Sequence, residues 1–133
     1  MPETDSDALL RANVEFYRAF AAGDLAAMDA LWARSVPVSC IHPGWQGLFG
    51  RVAVIESWGG IFGRPPPISM LAARAHVLGA VGYVTCIELV GDAVLVATNI
   101  FAREQGDWKM VHHQAGPTAE PIATAEGDPA RLH

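Results

Sequence analysis

His113, Asn99 and Glu88 lie in successive apolar stretches of the second half of the chain, and His42 stands immediately before Pro43-Gly44. Imidazole is the side chain best matched to taking and returning a proton near neutral pH. An amide can orient such a ring, or donate to a developing oxyanion. Asn is depleted in strands and needs partners when buried, which makes Asn99 a marked position. His113, His42 and Asn99 are therefore the catalytic candidates. Tyr17, Asn13, Trp45, Trp58, Cys86 and Glu88 are the candidates for contacting a substrate. Each has an ordinary structural alternative: a hydrogen-bonded core histidine, a turn residue, a solvated carboxylate near a hairpin end, or an aromatic stripe of the core. His42, His113 and Glu88 also have the composition of a two-histidine, one-carboxylate metal set. No close ligand spacing accompanies them, and adjacent His112 and His113 point to opposite faces of a strand. The reading is no metal and no cofactor.

Placing these groups requires a sheet. From Ile68 the hydrophobic period approaches two, predicting strands at about 68–78, 82–90, 93–103 and 108–115. Gly91-Asp92 reads as a two-residue hairpin turn, which pairs Val90 with Ala93, Glu88 with Leu95, Cys86 with Ala97 and Val84 with Asn99. Glu104-Gln105-Gly106 reads as a three-residue turn, pairing Ala97 with His113 and Asn99 with Val111. Glu88, Cys86, Asn99, Val111, His113 and Ala115 then share one face, and Trp108, Met110, His112 and Gln114 share the other. A one-residue slip would exchange the sets.

Ahead of the sheet, Leu9, Leu10, Asn13, Phe16, Tyr17 and Phe20 recur at helical spacing. Asp5, Ser6 or Asp7 is expected to cap that helix, Gly23 to end it and Asp24 to cap the next, which carries Leu25, Met28, Leu31 and Trp32. Val36 to Ile41 reads as a strand. A third helix follows Gly50 and stops before Arg64-Pro65-Pro66-Pro67. Asn13 interrupts the apolar stripe of the first helix, and is expected to enter the pocket or to link helix and sheet. This order describes an α+β fold, three N-terminal helices on one side of a mostly antiparallel sheet. Residues 1–119 form one domain, and Ala-, Pro- and Gly-rich residues 120–133 read as a mobile tail.

Composition narrows the function. Half the residues are hydrophobic (51%) and only 17% are charged, which supplies a core. The net charge of −5, with no basic stripe, disfavours nucleic acid. No apolar run approaches the roughly 20 residues of a membrane span, and the acidic N-terminus is unlike a signal peptide, so the expected location is the cytoplasm. Cys40 and Cys86 read as reduced core thiols. The strand at 93–103 is apolar at both parities, so both faces need cover: helices on one, a second copy of the chain on the other. The expected partners are a small apolar ligand and a homodimer through the sheet.

Phe16-Tyr17, Gly23-Asp24-Leu25, Leu31-Trp32, Ile41-His42-Pro43-Gly44-Trp45 and Gly50-Arg51 together resemble the opening of SnoaL-like proteins. The stretch from Gly106 to Pro117 resembles their final strand, and also the association domain of calcium/calmodulin-dependent kinase. The resemblance covers about residues 8–117. It implies the cone-shaped fold of the nuclear transport factor 2-like and ketosteroid isomerase-like superfamily, with a pocket between sheet and helices. Against the ketosteroid isomerase pattern, the helix tyrosine falls at Phe16, with Tyr17 beside it. The catalytic-base aspartate falls near His42, and the second oxyanion-hole acid at Asn99. The acid set is replaced by histidine and asparagine; with the pairing that sets His113 and Asn99 on one face, the expected base is His113, with the Asn99 amide or Tyr17 hydroxyl steadying an enolate-like charge and His42 nearer the mouth. The function so implied is an acid–base isomerase, cyclase or dehydratase acting on an apolar carbonyl compound. The alternative is a non-catalytic ligand-binding or oligomerisation module of the same fold.

Overall fold

The computed structural model describes residues 2–119, so the tail expected at 120–133 lies outside the described residues. Helix α1 spans Asp5–Ala22. Its cap is Thr4, one residue earlier than expected: the Thr4 hydroxyl accepts from the Asp7 amide, and the Asp7 carboxylate accepts from the Thr4 amide. Gly23 closes α1 in a left-handed conformation (φ 63°), and Asp24 caps α2, Leu25–Leu31. Helix α3 spans Arg51–Phe62. The Arg51 guanidinium binds the carbonyls of Asp29, Trp32 and Ala33 and the Asp29 carboxylate. It thereby satisfies the C-terminal carbonyls of α2 and fixes α3 against it.

The sheet runs β2-β1-β6-β5-β4-β3. The strands are β1 Ser39–Ile41, β2 Leu48–Phe49, β3 Ile68–Leu78, β4 Val81–Val90, β5 Ala93–Glu104 and β6 Asp107–Pro117. The expected strand at 36–41 is shorter, because Pro37 supplies no donor and the chain pairs only from Ser39. Strand β2 was not legible: two residues show no period. It pairs antiparallel with β1, while β1 lies parallel to β6 and sets Cys40 beside His113.

The β4–β5 register is the expected one, Val84 opposite Asn99 and Glu88 opposite Leu95. The β5–β6 register is not. Gln105 and Gly106 both take positive φ (55° and 86°), so the turn has two residues and Glu104 pairs with Asp107. That one-residue shift places Phe101 opposite Met110. The register then shifts again between Ile100 and Phe101, leaving Val111 as an extra residue and pairing Asn99 with His113. The two shifts cancel in parity beyond the bulge. His113 and Ala115 share the buried face as expected. Trp108 and Met110 are corrected to that same face, since both are buried.

The core lies between this concave face and the helices: Leu9, Phe16, Met28, Trp32, Val54, Trp58 and Phe101 are fully enclosed. Gly82 allows α1 to seat on β4. A Cβ there would stand 2.7 Å from Leu9 Cδ2 and 3.2 Å from the His76 carbonyl oxygen. Gly82→Ala should therefore cost about 1–3 kcal/mol through overpacking. A denaturant midpoint indistinguishable from wild type would show that α1 is not held at this contact.

Candidate functional site

Three elements bring the polar candidates together. Helix α1 presents Asn13 and Tyr17 one turn apart, β4 presents Cys86 and Glu88 at strand spacing, and β5 and β6 set Asn99 opposite His113. All are buried, with Asn13 and Asn99 fully so, His113 at 1% and Glu88 at 2% exposure.

A chain of hydrogen bonds joins them. His113 Nδ1 lies 2.6 Å from Asn99 Oδ1. The Asn99 amide nitrogen donates to Asn13 Oδ1 (2.8 Å) and to the Tyr17 hydroxyl (3.1 Å). Tyr17 in turn donates to Glu88 Oε2 (2.6 Å), with Cys86 Sγ 3.3 Å away. Because Asn99 Oδ1 can only accept, His113 Nδ1 must carry the proton. His113 Nε2 is then a bare lone pair, 3.9 Å from Glu88 Oε2 and without a hydrogen bond among the described residues.

His42 forms a second, smaller set. Ser57 Oγ donates to the Val54 carbonyl (2.6 Å), so it accepts from His42 Nε2 at 2.8 Å, which assigns the opposite tautomer to this ring. Trp58 packs edge-on against His42 and also touches His113, and the two imidazole centroids are 6.3 Å apart.

Burial dominates the electrostatics. It lowers His42 from 6.5 to about 4. His113 falls to about 3, chiefly through burial and then through nearby His42 and His112. Burial pushes the Glu88 carboxyl up despite its bond from Tyr17. It raises the Cys86 thiol to about 11 and Cys40 to about 12, which leaves neither sulfur a nucleophile near neutral pH. The site thus sets a neutral imidazole acceptor against a carboxyl group inclined to keep its proton.

His113, Glu88 and His42 reach the wall of a cavity of about 210 Å³ at the concave face. Phe20, Trp45, Ile61, Val90 and Leu95 make most of the rest of the wall. Trp45 is half-exposed and packs on His42. Tyr17, Asn13, Asn99 and Cys86 lie one layer deeper. This changes the reading of Asn99 and Tyr17, whose donors are engaged with Asn13, each other and Glu88 instead of facing the cavity as an oxyanion hole. Asn13 takes the second of its two expected roles and links helix to sheet. Trp58 belongs to the core. Glu88, whose ordinary alternative was a solvated carboxylate, is buried against His113. Its importance was the least legible, since only a glutamate at an inward strand position marks it. Among the described residues no three His, Cys, Asp or Glu side chains are grouped to hold a metal.

Residues 9–120 match the SnoaL-like domain family. A candidate dehydratase of the NTF2-like family from Streptomyces avermitilis is 33% identical, with a TM-score of 0.78 over 90% of this chain and 100% of that one. A candidate calcium/calmodulin-dependent protein kinase type II association domain from Thiobacillus denitrificans is 32% identical, with a TM-score of 0.69 over 89% and 99%. The F-box protein SKIP8 of Arabidopsis thaliana is 31% identical over 113 residues, 81% of this chain but 48% of that protein, so the chain spans about half the length of this curated relative. With its three N-terminal helices on a mostly antiparallel six-stranded sheet and these matches, the chain belongs to the SnoaL-like domain family of the NTF2-like fold.

Proposed function

We propose that this protein is an acid–base enzyme, an isomerase, cyclase or dehydratase, acting on a small carbonyl compound in the concave cavity. The observation that carries this reading is the Asn99-fixed tautomer of His113, which leaves an unprotonated Nε2 beside Glu88 on a residue that lines an apolar cavity. His113 Nε2 takes a proton from the carbon next to the carbonyl. The Glu88 carboxyl supplies one to the oxygen, either the carbonyl of an enolising substrate or a departing hydroxyl. Loss of water, or return of the proton to a different carbon, completes the reaction. The similarity to a candidate dehydratase supports this class of chemistry.

A substrate screen reads it directly. For any compound turned over, His113→Asn should lower kcat about 10²–10⁴-fold, the usual weight of a general base. His112→Ala should leave kcat close to wild type, because His112 bonds Ser39 at 2.7 Å on the opposite face. Full activity in a folded His113→Asn variant would end this assignment.

The neutral histidines also give a folding signature. Both titrate lower in the folded protein than in the unfolded chain, so between about pH 4 and 6.5 the unfolded chain binds more protons. Their contribution is complete above pH 6.5 and is lost as pH falls. Glu88, raised from 4.5, opposes this over part of the window, because its contribution is lost as pH rises. The two imidazoles outnumber the one carboxyl, so the net slope of stability with pH is positive between pH 5 and 6. Denaturant melts across that interval should show stability climbing with pH, and His113→Asn should flatten the climb. A flat wild-type profile would mean the imidazoles are solvated.

We further propose that the convex sheet face joins two copies of the chain. Val94, Val96 and Ile100 point there, with Val96 46% exposed, and the similarity to a kinase association domain supports self-assembly. Sedimentation should give a dimer at micromolar concentration and a weakened one for Val96→Lys. A wild-type monomer under those conditions sinks the proposal.

A further inference from the structure

The wall of the concave cavity carries more information than the reaction class. Its polar groups, His42, Glu88 and His113, are neighbours, with 3.9 Å from Glu88 Oε2 to His113 Nε2 and 6.3 Å between the imidazole rings. The remainder of the wall is apolar or aromatic. A ligand that fits must therefore gather its polar atoms at one end. Among the described residues no Lys or Arg lines the cavity, and the one acidic side chain on its wall is that of Glu88. An anionic ligand would lose its hydration and meet no countercharge, a cost of several kcal/mol for an unpaired ion. The volume, about 210 Å³, also falls below the roughly 300–1,000 Å³ of pockets for drug-sized ligands.

Polarity within the polar end is set by the tautomer. His113 Nε2 can only accept, so it faces a hydroxyl or an acidic C–H of the ligand, while Glu88 faces a neighbouring oxygen. We infer that the cavity is selective for small, uncharged hydroxy-carbonyl compounds over the corresponding carboxylates, because its wall offers an anion no countercharge. This rests on the acid–base reading above for the placement of the ligand's functional end, and adds its size and its charge.

The test is a matched pair of probes, methyl 3-hydroxyhexanoate and 3-hydroxyhexanoate, titrated at pH 7.5 and followed by calorimetry and by the emission of half-exposed Trp45. The ester should bind at least about tenfold more tightly, a difference of roughly 1.4 kcal/mol. Trp45→Lys sets a cation on the half-exposed part of the wall, so the preference for the ester, read by calorimetry, should shrink severalfold. Equal or tighter binding of the carboxylate to the wild type overturns the inference. So does an undiminished preference in a folded Trp45→Lys variant, or failure of the ester to bind at millimolar concentration. The catalytic reading is judged apart from this, by turnover in His113→Asn. Discrimination retained without turnover would mark a neutral-ligand binder, and turnover of carboxylates would keep the enzyme and remove the selectivity.

Discussion

The hydrogen bond from His113 to Asn99 is the contact on which the rest of the site depends. A fully enclosed amide has two ends to satisfy, and leaving one without a partner costs about 1–3 kcal/mol. Asn99 spends its oxygen on His113 and its nitrogen on Asn13 and Tyr17, so one side chain ties β5 to β6 and to α1. The same bond decides which imidazole nitrogen is free, and hence what the cavity can do chemically. Structure and chemistry are fixed here by one set of donors and acceptors.

That network tolerates no charge within it except at its edge. Phe16 and Trp58 pack against His113, and the aromatic shell that secures the core also withdraws water from the ring. Withdrawal of water disfavours both imidazolium and carboxylate, so one environment lowers His113 and raises Glu88. The resulting pair, a neutral acceptor beside a reluctant acid, arises from burial rather than from a local ion pair. It differs from an acid-based constellation on the same fold, which explains why membership of the family leaves the reaction to be argued from the site.

The outer layers serve this arrangement by holding the helices still. Arg51 joins α3 to the end of α2, and Gly82 lets α1 descend close enough for Asn13 and Tyr17 to reach the sheet. Trp45, on the turn after β1, is the half-exposed member of the wall and stands over His42. The cavity is thus walled by α1, α3, the turn after β1 and the sheet, and its polar groups come from that turn and from β4 and β6.

Much of this was present in the sequence as period and punctuation. The 3.6-residue stripe from Leu9 to Phe20, Gly23-Asp24, the prolines after α3 and the Gly91-Asp92 turn are local signals, and local sterics and capping enforce them wherever the chain goes. They were enough to define the helices, the β4–β5 register and an inward Asn99. The β5–β6 register was beyond them. It depends on Gln105 adopting a left-handed conformation and on a bulge at Val111, and neither residue type announces that choice. Pairing energy across the whole hairpin and burial of Trp108, Met110 and His113 on one face decide it. The same holds for Glu88 and Tyr17: residue type marked them as polar, but only the approach of α1 to β4, set by packing, determined that one hydroxyl would bridge a buried amide and a buried carboxyl beside His113.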